Sequence, residues 1–137
     1  MPVRTTLDHV TIVTDDFEAS RPVYDAVLGS LGLSPTVDYE DPEGEEDDPD
    51  TVAALGYAYP DERPMLWLAA GLKATIGAHL ALGVTDPDLV RAAHRDGVAA
   101  GAVVVQAPRD WESVQLGYYG VQFADPAGNV IEVVVRA

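Results

Sequence analysis

The sequence predicts an α+β fold in which two βαβββ modules stand in tandem and form a curved mixed sheet around a cavity, with the helices on the outer face. Three observations carry this expectation. "LDHVTIVTDD" (residues 7–16) and "GAHLALGVTD" (77–86) share a histidine near the start of an apolar run and a Thr-Asp pair at its end. Each stretch is followed by a helical pattern, and each half of the chain closes on paired apolar runs that read as a hairpin. An internal repeat of this kind sets the architecture before single residues are weighed. The expected modules span about residues 1–72 and 73–137 of one domain covering 1–137.

The elements follow in order. Residues 6–14 alternate with period two, so Leu7, His9, Thr11 and Val13 share one strand face and Asp8, Val10 and Ile12 the other. Asp15 or Asp16 offers a helix N-cap, and Phe17, Tyr24, Val27, Leu28 and Leu31 recur at helical spacing. Pro22 is tolerated only near a helix start, which places the start of the regular helix close to Ser20, and Gly32 closes it. A short strand over 33–39 leads into an acidic loop at 38–50. Residues 52–59 and 64–70 form a hairpin around "PDERP". The order then restarts with a strand over 77–84. Asp86 caps a helix with Pro87 in its first turn, and Leu89, Val90 and Ala93 make its buried stripe. Gly97 or Gly101 ends that helix, and a strand over 103–106 follows. Residues 117–124 and 129–135 form the last hairpin.

"DPAGN" suits a type I turn with Asp125 first, Pro126 second and Gly128 in the left-handed conformation. Asp125 then faces Asn129, and Val130, Ile131 and Glu132 lie opposite Ala124, Phe123 and Gln122. Opposed residues share a sheet face. Tyr119, Val121, Phe123, Ile131, Val133 and Val135 therefore read as core. Tyr118, Gly120, Gln122, Val130, Glu132 and Val134 take the other face. Glu132 is out of place among valines, and a carboxylate facing a cavity needs a cation. No Lys or Arg occurs in 110–135, so a metal is the natural partner. Aligning the first hairpin on the last puts Trp67 at the position of Glu132.

His9 and His79 open the first strand of each module, and in a pseudosymmetric pair those strands lie side by side. With Glu132 they make a two-histidine, one-carboxylate set that leaves positions open for substrate, as iron and zinc sites do. His94, between Arg91 and Arg95 on the second helix, reads as surface.

Bulk composition narrows the functions. Formal net charge is −15, and residues 38–50 hold nine carboxylates and no base. That disfavours nucleic acid, which needs clustered Lys and Arg, and favours cationic small molecules wherever the acid lines a site. The acidic run itself reads as a solvated loop, since its spacing does not match an EF-hand. With no cysteine there is no thiolate ligand or nucleophile. No run approaches the roughly 20 apolar residues of a membrane span, and the N-terminus lacks the features of a signal peptide. A soluble cytoplasmic protein without nucleic-acid or membrane partners is the expectation.

The chain resembles the glyoxalase / bleomycin resistance / extradiol dioxygenase group, the vicinal oxygen chelate superfamily. The likeness rests on "LDHVTIVTDDFEASRPVYDAVLGSLGL", "AHLAL" and "YYGVQFADPAGNVIEVV", the last being the most specific. It implies paired βαβββ modules, often a homodimer, and in metal-using members ligands at the positions of His9, His79 and Glu132. Glyoxalase I enzymes add a fourth carboxylate ligand where this chain has Trp67, so lactoylglutathione lyase chemistry is not the expected one. The resemblance supports two functions. One is a lyase or oxidoreductase that uses a divalent ion (Fe, Zn, Mn or Ni) on a small oxygen-bearing molecule. In it Gln122 and Tyr118 orient substrate or shuttle a proton, and Trp67 lines the substrate pocket. The other is metal-free sequestration of a cationic drug or antibiotic.

Overall fold

The computed structural model describes residues 4–40, 53–110 and 119–136. In chain order the elements are β1 (Val10–Thr14), α1 (Phe17–Ser30), β2 (Ser34–Glu40), β3 (Ala53–Ala58), β4 (Leu66–Ala70), β5 (His79–Val84), α2 (Pro87–Ala99), β6 (Val103–Asp110), β7 (Tyr119–Ala124) and β8 (Val130–Val135). The tandem βαβββ order is the predicted one. Hydrogen bonding divides the strands four and four, as β1-β4-β3-β2 and β5-β8-β7-β6. In each sheet the first strand runs parallel to the last and the others pair antiparallel. Most of the acidic stretch, residues 41–50, lies outside the described residues.

Local chemistry accounts for the helix ends. The Asp16 carboxylate accepts from the Ala19 amide at 3.1 Å, and that of Asp86 from the Asp88 amide at 2.9 Å. Each satisfies a donor that the first turn leaves open. The first helix starts at Phe17 rather than near Ser20, so Pro22 sits inside it. Two contacts hold that early turn: the Asp16 cap, and a 2.8 Å hydrogen bond between the buried hydroxyls of Thr14 and Ser20. Together they offset the single backbone bond that Pro22 forfeits, toward Glu18. In the last hairpin Gly128 has φ +90°, the left-handed conformation that the turn requires.

The observed β7–β8 register pairs Ala124 with Val130, Phe123 with Ile131 and Gln122 with Glu132, as the turn chemistry predicts. Val121, Phe123, Ile131, Val133 and Val135 are buried, with Tyr119 partly so. They join Ile12, Tyr24, Val27, Leu28, Leu55, Tyr57 and Leu68 of the first module, and Val90 and Ala93 of α2, in one continuous core. Each fully buried large apolar side chain contributes about 1.5–3 kcal/mol, so the shared core binds the modules together. No helix among the described residues is long and apolar enough to cross a membrane.

Two buried phenols anchor α1. Tyr24 donates to Asp125 at 2.7 Å and Tyr57 donates to Asp25 at 2.7 Å. Burial, reinforced by the carboxylate each phenol bonds, holds both well above the ordinary tyrosine value near 10. The fold therefore favours the neutral phenols. Their contribution is complete below pH 10 and is lost as pH rises toward the higher folded-state values. Unfolding free energy, followed by urea titration across alkaline pH, should fall above about pH 10 with a slope of up to ~1.4 kcal/mol per pH unit for each tyrosine. Tyr24→Phe and Tyr57→Phe should each flatten that slope; an unchanged slope in both would contradict the assignment.

Candidate functional site

Strand alternation carries Glu132 away from the aromatic core while Ile131 and Val133 point into it. The hairpin register sets Gln122 opposite, and its amide donates to Glu132 Oε1 at 3.0 Å. From the other flank, β5 begins with His79 beside Val130, and the imidazole Nε2 lies 2.8 Å from the same Oε1. The Glu132 side chain is 5% exposed and that of His79 is 53% exposed, so the pair runs from a buried carboxylate to an open imidazole. Donation from Nε2 to the carboxylate defines the tautomer of the neutral ring and leaves Nδ1 on the far side.

His9 is oriented differently. Its Nδ1 donates to Asp8 Oδ1 at 2.7 Å, and Arg63 pairs with the other oxygen of Asp8. The hydrogen bond from His9 holds the Asp8 carboxyl below the usual carboxylate range, with the Arg63 guanidinium adding to it. The structure thus brings together His79, Glu132 and Gln122, while His9 stands apart with Asp8. Among the described residues no three His, Asp or Glu side chains are grouped closely enough to share an ion. Tyr118 lies outside the described residues.

The sheet registers relate the two halves. Thr11 pairs with Trp67 and Ala81 with Glu132; Gly56 pairs with Trp67 and Gln122 with Glu132. Trp67 therefore occupies the position equivalent to Glu132. A Cβ on Gly56 would stand 2.7 Å from Pro64 Cγ and 3.0 Å from Trp67 Cη2, so the missing side chain lets indole and proline lie against the sheet. The first module presents an apolar plate where the second presents carboxylate, imidazole and amide. A cleft of about 220 Å³ lies where the two modules meet, lined by Leu7, Val10, Met65 and Leu66 of the first module and by residues 80–83 of β5. Ala81, the register partner of Glu132, brings that cleft to the edge of the polar group.

Sequence reasoning missed Asp8, Arg63 and Gly56. Signals existed for two of them: an aspartate directly before a candidate ligand histidine, and a glycine inside a strand, which often marks a close approach.

Paired βαβββ modules with a carboxylate–imidazole centre beside an apolar cleft define the structural class. The chain belongs to the Glyoxalase/Bleomycin resistance protein/Dioxygenase superfamily, whose family model matches residues 6–133. Among solved structures it is similar to a glyoxalase/bleomycin resistance protein from Albidiferax ferrireducens T118, at 25% identity over 95% of this chain and 98% of that one, with a TM-score of 0.66. It also shares its fold with TnmS3, an antibiotic binding protein from Streptomyces sp. CB03234, at 16% identity, full coverage of both chains and a TM-score of 0.62. A lactoylglutathione lyase from Agrobacterium tumefaciens gives 20% identity, 96% and 94% coverage, and a TM-score of 0.61. No curated protein matches the chain.

Proposed function

We propose that this protein is a metal-dependent enzyme of the superfamily, acting on a small oxygen-bearing organic molecule at the His79–Glu132 centre. The observation that carries the reading is the convergence of an imidazole nitrogen and a buried carboxylate at 2.8 Å, next to the stretch of β5 that lines an apolar cleft. Imidazole and carboxylate donors suit Fe, Zn, Mn and Ni. His79 and Glu132 would hold the ion, and His9 would supply a third donor through Nε2. The Asp8 contact at Nδ1 is the kind of carboxylate partner that commonly stands behind a ligating histidine. A bound divalent ion would act as a Lewis acid toward a substrate oxygen. Gln122 would orient the substrate through its amide, Tyr118 would assist or shuttle a proton, and Trp67 would pack against the apolar part of the ligand. We place the enzyme in the cytoplasm as a homodimer.

A second reading, metal-free sequestration of a cationic drug or antibiotic, has its own support. The His79–Glu132 hydrogen bond is complete without an ion, the cleft is apolar, and one structural neighbour binds an antibiotic. The net charge of −15 suits a cationic ligand.

Metal content of protein purified without chelator, followed by calorimetric titration with Zn²⁺, Mn²⁺, Ni²⁺ and anaerobic Fe²⁺, separates the two. The enzyme reading expects uptake of about one ion per chain. It also expects an affinity loss of at least ~100-fold in His79→Ala and in Glu132→Ala, since losing a mere supporting partner already costs 10–100-fold. A wild-type protein that takes up no metal sinks the enzyme reading and leaves sequestration.

A further inference from the structure

The buried asparagine of the last turn has contacts that the turn does not need. Asn129 is fully buried. Its backbone pairs with Asp125, its amide N–H donating to Asp125 Oδ1 at 2.8 Å and its carbonyl accepting from the Asp125 amide at 2.9 Å. Those bonds, with the contact from its Nδ2 to Asp125 Oδ2 at 3.0 Å, are sufficient to close the hairpin. Its side chain also reaches across the chain. Oδ1 accepts the Ala78 amide at 3.0 Å, and Nδ2 donates to the Thr75 carbonyl at 2.7 Å. Thr75 is in turn fastened to β1: its amide donates to the Val13 carbonyl at 2.8 Å, and its hydroxyl accepts from the Val13 amide at 2.9 Å. Ala78 returns a bond through its carbonyl, which accepts the Val130 amide at 2.8 Å.

Ala78 immediately precedes His79, and Asn129 stands three residues before Glu132. One side chain thus ties the residue before β5 to the residue before β8, at the end of the ladder where the imidazole meets the carboxylate. A slip of one residue in that parallel pairing would turn His79 to the opposite face of the sheet.

We infer that Asn129 is a positioning residue: its amide sets the entry of β5 against β8 and thereby holds the His79 imidazole on Glu132. The inference concerns the proposed site but stands on the hydrogen-bonded pair, so it holds with or without a metal.

Two measurements on metal-free, full-length protein test it. The first uses the wild type. Native-state hydrogen exchange should protect the Ala78 amide to within about ten-fold of the central β8 amides, although Ala78 lies just outside a strand. Exchange of Ala78 at the rate of a frayed end would overturn the inference. The second reads the His79 tautomer by long-range ¹H–¹⁵N imidazole spectra, with the signal assigned through His79→Gln. The wild type should show a ring protonated at Nε2. Asn129→Ala, and the milder Asn129→Ser, should show an averaged tautomer in a protein whose remaining amides stay dispersed. Val27→Ala, a core truncation away from the site, should loosen the fold and leave the His79 signature in place. An unchanged signature in both Asn129 variants, or an equal change in Val27→Ala, overturns the positioning role.

Discussion

Asp125→Ala should lower unfolding free energy by about 2–6 kcal/mol, a large part of the roughly 5–15 kcal/mol that holds a domain folded. The Asp125 carboxylate is 5% exposed and gathers four donors. Oδ1 takes the amides of Ala127 and Asn129, and Oδ2 takes the Tyr24 hydroxyl and the Asn129 side-chain amide. Truncation leaves the Tyr24 hydroxyl and one N–H of the Asn129 side-chain amide buried without an acceptor, at about 1–3 kcal/mol each, while the other N–H keeps the Thr75 carbonyl. It also opens the turn and releases α1 from the second module. Asp125→Asn should cost less. Its carbonyl oxygen keeps the two backbone bonds, while its amide nitrogen faces the Asn129 side-chain amide as donor against donor. Urea unfolding monitored by circular dichroism, with the m-value held constant, gives the comparison. A loss below about 1 kcal/mol in Asp125→Ala would mean that water replaces these bonds and that the turn is no keystone.

The same residue marks the boundary of what the sequence discloses. "DPAGN" is legible as a turn because its chemistry is local: an aspartate at the first position, a proline with preset φ, a glycine free to be left-handed. From that turn the β7–β8 register follows, and from the register the face that Glu132 and Gln122 share. The Trp67–Glu132 equivalence follows from repeat symmetry. What stays illegible depends on partners distant in sequence or on rotamer choice. Tyr24 lies 101 residues from Asp125 and Thr75 lies 54 from Asn129, so no window of local pattern joins them. His9 stands where symmetry puts it, two residues before Thr11 as His79 is before Ala81. Its ring nonetheless turns to its neighbour Asp8, which is a side-chain choice that periodicity does not encode. The start of α1 at Phe17 likewise rests on a Thr14–Ser20 contact that a rule about proline does not contain.

Phe123→Ala should cost about 3–5 kcal/mol on its own, and it should reverse the sign of a second substitution, Gly97→Ala. Phe123 is fully buried on the core face of β7, back to back with the strand face that carries Gln122. A Cβ on Gly97 in α2 would lie 2.9 Å from Phe123 Cε1 and 3.1 Å from Val27 Cγ2 of α1. Helix propensity alone favours alanine over glycine by about 1 kcal/mol. Overpacking against a rigid aromatic ring costs about 1–3 kcal/mol, so the contact wins and Gly97→Ala destabilises the wild type. In the Phe123→Ala background the ring is gone and only the Val27 methyl group has to yield. There the propensity term should prevail, and Gly97→Ala should stabilise by up to ~1 kcal/mol. A double-mutant cycle in urea reads the difference as a coupling energy of about 1–3 kcal/mol between positions 97 and 123. Equal destabilisation by Gly97→Ala in both backgrounds would assign the exclusion to Val27 instead. In the wild type the ring bears on the site from behind: it seats α2 against β7, the strand that carries Gln122 opposite Glu132.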